Sequence, residues 1–89
     1  MYFVFTKENC DYCDAAKHLL KSGNINYVEC LLDTPEKIEK FKRETGENTV
    51  PQIWREDGKH IGNYEDLRNY IEVHLKAVVA KTFNSSNLL

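Results

Sequence analysis

Two thiols three positions apart, in Cys10-Asp11-Tyr12-Cys13, stand between an apolar stretch, Tyr2 to Phe5, and an amphipathic one, Ala15 to Leu20. A strand that ends just before Cys10 and a helix that begins on it satisfy both flanks. That arrangement sets Cys10 at a helix N-terminus, where unpaired N–H groups and the helix dipole favour a thiolate. Cys10 is then the exposed nucleophile of low pKa. Cys13, one turn further in and less exposed, keeps a higher pKa and resolves a mixed disulfide once Cys10 is engaged. A disulfide framework favours even numbers of cysteines at wider spacings, whereas this chain has three, two of them as Cys-x-x-Cys beside a strand–helix pattern.

The rest of the chain supplies elements to hold that pair. Ala16, Leu19, Leu20 and Gly23 fall on one helical face and Lys17, His18 and Lys21 fall away from it, until Ser22-Gly23-Asn24 ends the helix. Ile25 to Leu32 reads as a second strand, parallel to the first because a helical crossover joins them. Its alternation puts Val28, Cys30 and Leu32 on one face and Tyr27, Glu29 and Leu31 on the other. Asp33 or Thr34 caps the next helix with Pro35 in its first turn, and Ile38, Phe41 and Thr45 form a narrow stripe on the charged segment Glu36 to Glu44. Gly46-Glu47-Asn48 breaks it. Thr49 to Trp54 is extended, and the Asp57-Gly58 turn signal returns the chain as Lys59 to Ile61 in an antiparallel hairpin.

After a kink at Gly62-Asn63, apolar residues recur at helical spacing from Asp66 onward, through Leu67, Tyr70, Ile71, His74, Leu75, Val78 and Val79, to about Lys81. Residues 83–89 lose the pattern and read as a flexible C-terminal tail after a domain of residues 1–82. The expected order is β-α-β-α-β-β-α. It describes an α/β, thioredoxin-like fold, a four-stranded mixed sheet flanked by three helices, two on one face and one on the other.

Size and charge narrow the functions. Eighty-nine residues make one domain that buries about 60–65% of its unfolded surface, which leaves no room for a separate substrate domain. Twelve basic and fourteen acidic side chains are interleaved along the chain, so no nucleic-acid surface is expected. The apolar N-terminal run is too short for a secretion signal and lacks a basic region before it. No stretch approaches the roughly 20 apolar residues that cross a bilayer. A cytoplasmic address without membrane partners is expected, and so is the absence of a metal site.

Three further positions bear on the thiol chemistry. Lys7, three residues ahead of Cys10, is placed to stabilise either a thiolate or a ligand carboxylate. Tyr12 can pack over a bound peptide-like ligand or shield Cys13, and the two roles are compatible. Asp11 helps to start the helix, yet its charge opposes ionisation of Cys10. The Val50-Pro51 bond stays open on the residues alone: a cis bond turns the backbone N–H and C=O of Val50 outward to pair with an extended ligand, whereas a trans proline simply begins an edge strand.

Val4-Phe5-Thr6-Lys7, Cys10-Asp11-Tyr12-Cys13, Ala16-Lys17, Leu19-Leu20, Thr49-Val50-Pro51-Gln52-Ile53 and Ile61-Gly62-Asn63-Tyr64-Glu65-Asp66-Leu67 together resemble a dithiol glutaredoxin over nearly the whole ordered chain. The resemblance implies a small, monomeric electron carrier that uses glutathione to reduce protein disulfides and glutathione mixed disulfides. Its partners are then disulfide-bearing or glutathionylated proteins, ribonucleotide reductase among them. By position, it implies that Cys10 holds the mixed disulfide and Cys13 resolves protein disulfides. Lys7 faces the glycyl carboxylate of glutathione, and in the Thr49-Val50-Pro51 stretch the backbone of Val50 pairs with its cysteinyl unit before a cis Pro51. The Gly62-Asn63 turn, Glu65 and Asp66 meet the γ-glutamyl end, with Asp66 as the last helix's cap and acceptor for the ligand ammonium.

The chain departs from the family pattern at Asp11, where a proline is usual, at Asn63, the second glycine of a Gly-Gly turn, and at Glu65. Asp11 and Glu65 make the groove more negative. For the basic side chain that the family often offers from its second helix, Lys37 and Lys40 are candidates, against an ordinary solvated helix face. Three rival readings remain. A thioredoxin-like reductant served by a flavoprotein reductase is disfavoured by Lys7, Tyr12 and Asp66. A dimer holding a [2Fe-2S] cluster through Cys10 and glutathione is the second. The third is a structural zinc module using Cys10, Cys13, Cys30 and a histidine, although Cys30 on a buried strand is more simply a small apolar side chain.

Overall fold

The computed structural model describes residues 1–74 and 87–89. Its elements are β1 (Tyr2–Thr6), α1 (Asp11–Ser22), β2 (Tyr27–Leu31), α2 (Pro35–Thr45), β3 (Thr49–Val50), β4 (Gln52–Trp54), β5 (His60–Gly62), α3 (Tyr64–His74) and β6 (Asn87–Leu88). A four-stranded sheet runs in the order β2-β1-β4-β5. β1 is parallel to β2, from Tyr2 opposite Tyr27 to Thr6 opposite Leu31, and antiparallel to β4. The mixed sheet with its three helices is the thioredoxin-like arrangement.

One face of β1 and β4 buries Val4 and Ile53 against Ala16 and Leu20 of α1 and Leu67 and Ile71 of α3. The other face meets α2, where the Phe5 ring lies 4.9 Å from that of Phe41 and 5.4 Å from that of Trp54. Phe41 is the side chain that α2 buries. Burying one such ring contributes about 1.5–3 kcal/mol, and Ile38 packs on the same cluster one turn earlier in α2. Its narrow stripe also leaves Phe3 38% exposed on that face.

Local signals set the helix ends. Thr34 caps α2, its Oγ1 accepting the Lys37 N–H at 3.2 Å, with Pro35 in the first turn. Gly46 closes α2 in the left-handed region, at φ 75°.

Three elements differ from expectation. The Thr49 to Trp54 segment is two strands, because Pro51 has no N–H to give a ladder. The Val50–Pro51 bond is cis. On its far side β4 joins β1, while β3 leaves the central sheet. Second, α3 starts at Tyr64, and Asp66 is not its cap. Asn63 Oδ1 accepts the Asp66 N–H at 3.0 Å and Asp66 Oδ2 accepts the Asn63 N–H at 3.1 Å, a reciprocal capping box with Asn63 as the cap. The apolar period begins only at Leu67, which is why it pointed two residues late.

Third, Asn87 and Leu88, expected within a flexible tail, pair with β3 as β6. The rest of that tail, residues 83–86, and the helical continuation expected through Lys81 lie outside the described residues. No helix among the described residues is long and apolar enough to cross a membrane.

Candidate active site

Cys10 is the cap residue of α1. Its backbone is extended, at φ −121° and ψ 103°, and its Sγ accepts the Cys13 N–H at 3.1 Å. The helix starts where the spacing placed it. The Cα atoms of Cys10 and Cys13 are 5.2 Å apart, and the two sulfurs are bonded to each other. Opening that bond leaves Cys10 Sγ in front of a main-chain donor at the positive end of a helix, which favours its thiolate.

The expected exposure of Cys10 is not found. Cys10 is 3% exposed and Cys13 1%. Both belong to an apolar cluster with Leu32, Phe41 and Val50, on which Phe5, Ile38, Trp54 and Leu89 pack. The reason is tertiary: the start of α1 packs into one cluster with Leu32, with Phe41 of α2 and with Val50 of β3. Asp11, by contrast, is exposed in the first turn of α1.

The edge formed by Asn48, Thr49 and Val50 carries that returning segment. Thr49 lies opposite Leu88 and Val50 opposite Asn87, and Leu89 N–H donates to the Asn48 carbonyl at 3.0 Å. Antiparallel alternation then makes Val50 and Asn87 the next hydrogen-bonded pair. Lys7 Nζ donates to the Leu88 carbonyl at 2.7 Å, and Lys42 Nζ to the main-chain oxygen of Leu89 at 3.3 Å. Thr49 is fixed from beneath: its Oγ1 accepts from Gln52 Nε2 at 3.0 Å, and Gln52 Oε1 lies 2.7 Å from His60 Nε2.

Lys42 is therefore the α2 lysine that reaches this edge. Lys37, a candidate from the sequence, instead pairs with Asp33 at 2.8 Å, and Lys40 is exposed. The signal that finds Lys42 is its place four residues after Ile38, on the side of the helix that packs toward the thiols.

The other end of the site is built where α1 meets α3. The rings of Tyr12 and Tyr64 are 5.9 Å apart, so Tyr12 has an aromatic neighbour to which the sequence assigned no role. Gly62 sits at φ 125°, and a Cβ there would collide with the Asp66 carboxyl group. Only glycine allows the capping box to close so tightly. Glu65 is half-buried in the same turn and Asp66 is exposed. Cys10, Cys13 and Val50 thus share one cluster, with Lys7 and Thr49 against the returning segment, while Tyr12 lies beside Tyr64, next to the turn that joins Asn63 and Asp66.

Among the shifted ionisable groups outside the site are Cys30 and Glu29 on β2. Burial pushes the Cys30 thiol up, and the charge of Glu29 adds to this, which keeps Cys30 protonated and a poor nucleophile at neutral pH. Glu29 is held below the usual carboxylate range by hydrogen bonds from Thr6 Oγ1 at 2.7 Å and Lys17 Nζ at 2.9 Å. Among the described residues, no three His, Cys, Asp or Glu side chains converge as metal ligands would.

A family model described as Glutaredoxin matches residues 3–61, a span that holds both thiols and Pro51. Glutaredoxin 3 of Escherichia coli (strain K12) is 42% identical over 65 residues, covering 72% of this chain and 77% of that protein. Glutaredoxin 1 of Rickettsia prowazekii (strain Madrid E) is 42% identical over 69 residues, covering 74% of this chain and 72% of that one. Among solved structures, the crystal structure of a buckwheat glutaredoxin-glutathione complex matches with a TM-score of 0.70 at 28% identity, covering 81% of this chain and 68% of that chain.

Proposed function

The chain belongs to the glutaredoxin family, and from that premise we propose that it is a glutathione-dependent reductase of protein disulfides and glutathione mixed disulfides. Thiol–disulfide oxidoreductase activity follows from the family together with the Cys10–Cys13 pair. The observation that carries the glutathione reading is the edge at Val50, which accepts an extended main chain whose carbonyl reaches Lys7 Nζ. Glutathione is a short extended peptide with a carboxylate at that end, and a buckwheat relative has been crystallised with it.

In this reading each residue has a task. The Cys10 thiolate attacks a substrate disulfide, forms a bond to one sulfur and releases the other as a thiolate, which takes a proton from water. When the substrate is a protein disulfide, Cys13 attacks Cys10 Sγ, frees the second substrate thiolate and closes the bond seen in this structure. Two electrons have then passed to the substrate. Cys10 recovers by exchanging its bond to Cys13 for one to glutathione, and a second glutathione thiolate removes the first as oxidised glutathione.

Lys7 pairs with the glycyl carboxylate, and the Val50 N–H and C=O hold the cysteinyl unit beside Thr49 and Pro51. At the other end the first N–H groups of α3 receive the γ-glutamyl carboxylate and Asp66 its ammonium, on the turn made by Gly62, Asn63 and Glu65. The same reading has residues 1–82 as the working domain. It acts as a monomer in a reducing cytoplasm, with ribonucleotide reductase among its recipients.

The test is an NADPH-coupled assay on the mixed disulfide of glutathione and hydroxyethanethiol, run with glutathione reductase and then with thioredoxin reductase. Turnover only with glutathione and its reductase is the expected result. Turnover only with thioredoxin reductase keeps the fold and overturns the electron donor.

A further inference from the structure

We propose that the segment Asn87–Leu89 is a tethered occupant of the glutathione groove and competes with glutathione for it. The inference rests on the glutathione reading above and adds a competitor that belongs to the chain itself.

The segment makes the contacts which that reading gives to glutathione. Its main chain lies antiparallel on Thr49 and Val50, and its Leu89 N–H extends the ladder to the Asn48 carbonyl. Its Leu88 carbonyl takes the Lys7 ammonium that otherwise faces the glycyl carboxylate, and the Lys42 ammonium lies against the next oxygen along. Each residue of the edge has one main-chain N–H and one C=O, so segment and ligand cannot both be paired to Val50. Occupancy is mutually exclusive by hydrogen-bond count.

Packing carries the same consequence to the thiols. The Leu89 side chain sits on the cluster that contains Cys10 and Cys13, and both are almost wholly buried with the segment in place. An attacking or incoming sulfur needs an open line to Cys10 Sγ. A docked segment therefore delays glutathione at two points, the edge that orients it and the sulfur that receives it.

The size of the effect follows from occupancy. A segment docked about 90% of the time leaves a tenth of the molecules competent and weakens apparent glutathione binding about tenfold. Because the occupant is part of the chain, diluting the protein does not relieve the competition.

The experiment uses oxidised full-length protein and S-methylglutathione, which has no free thiol for exchange. Binding is measured calorimetrically for the wild type and for a double variant, Asn87→Pro with Leu89→Pro, which removes two main-chain donors from the segment. In parallel, exchange of the Leu89 amide proton in the wild type is followed with and without saturating S-methylglutathione. The expected result is binding about 3–10-fold tighter in the variant, with the Leu89 amide losing protection when the wild type is saturated. Equal affinities, or a Leu89 amide still protected at saturation, overturn the competition and leave the glutathione reading standing. Absence of binding in both proteins overturns the glutathione reading, and the competition with it. The exchange measurement needs no variant, so a folding defect in the double variant does not blunt the test.

Discussion

The Cys13 amide donates to Cys10 Sγ from 3.1 Å, so the cap of α1 is a sulfur. Most helix caps are hydroxyl, carboxylate or amide oxygens, which satisfy an N–H without chemical consequence. A sulfur in that position gains more from the N–H as a thiolate than as a thiol. The same contact that starts the helix therefore prepares the nucleophile.

From this follows a division of labour between the thiols. Cys10→Ser abolishes transfer with every substrate, whereas Cys13→Ser keeps reduction of glutathione mixed disulfides and loses reduction of protein disulfides. Cys30→Ser changes neither, because burial keeps that thiol protonated. Steady-state rates on the two substrate types measure this, and equal losses in the Cys10 and Cys13 variants contradict the assigned roles.

Asp11 is exposed beside the cap in the first turn of α1, and a carboxylate there is expected to oppose Cys10 ionisation. Proline fits the first turn of a helix without loss of a needed donor. In reduced Asp11→Pro, iodoacetamide modifies Cys10 at lower pH than in the wild type. An unchanged or higher midpoint shows that solvent already screens the carboxylate.

Gly62→Ala tests the turn that carries the far end of the site. At φ 125° a side chain is strained, and its Cβ would strike the Asp66 carboxyl group that closes the capping box. Backbone strain of this kind costs about 1–3 kcal/mol. Urea unfolding should give a lower midpoint with the same slope, and an unchanged midpoint shows that the turn relaxes at no cost.

Glu29 gives the fold an acid-sensitive contact. Thr6 and then Lys17 hold its carboxyl group below its ordinary value of 4.5. A group lowered in the folded state stabilises it above the unfolded value, and that contribution is lost as pH falls through the folded one. The Glu29 side chain is 36% exposed, so solvent screening holds the contribution to under about 1 kcal/mol. Glu29→Gln is thus less stable than wild type at pH 7, and the gap closes as pH drops below 4.5. A gap that is constant with pH removes Glu29 from the acid response.

Period and local chemistry determined much of this protein. The apolar run Tyr2 to Phe5, helical spacing after Cys10, Thr34-Pro35 before α2 and Gly46 after it are signals read within a few residues, and the elements follow them. The placement of Cys10 at the start of α1 is of the same kind, since a cap is a local event. Other features depend on which surfaces meet after the sheet has formed. Asn63 caps α3 in place of Asp66 because the turn from β5 brings its side chain round to the helix. Lys42 reaches the thiol edge, and Lys37 does not, because one ring, Phe41, sets how α2 lies on the sheet. The pairing of Asn87 and Leu88 with β3, and the packing of Leu89 on the cluster that holds Cys10, had no local signal at all. Main-chain groups carry no record in the sequence of which distant partner they find, and only the folded sheet, with β3 turned out of it at Pro51, presents an edge for them to meet.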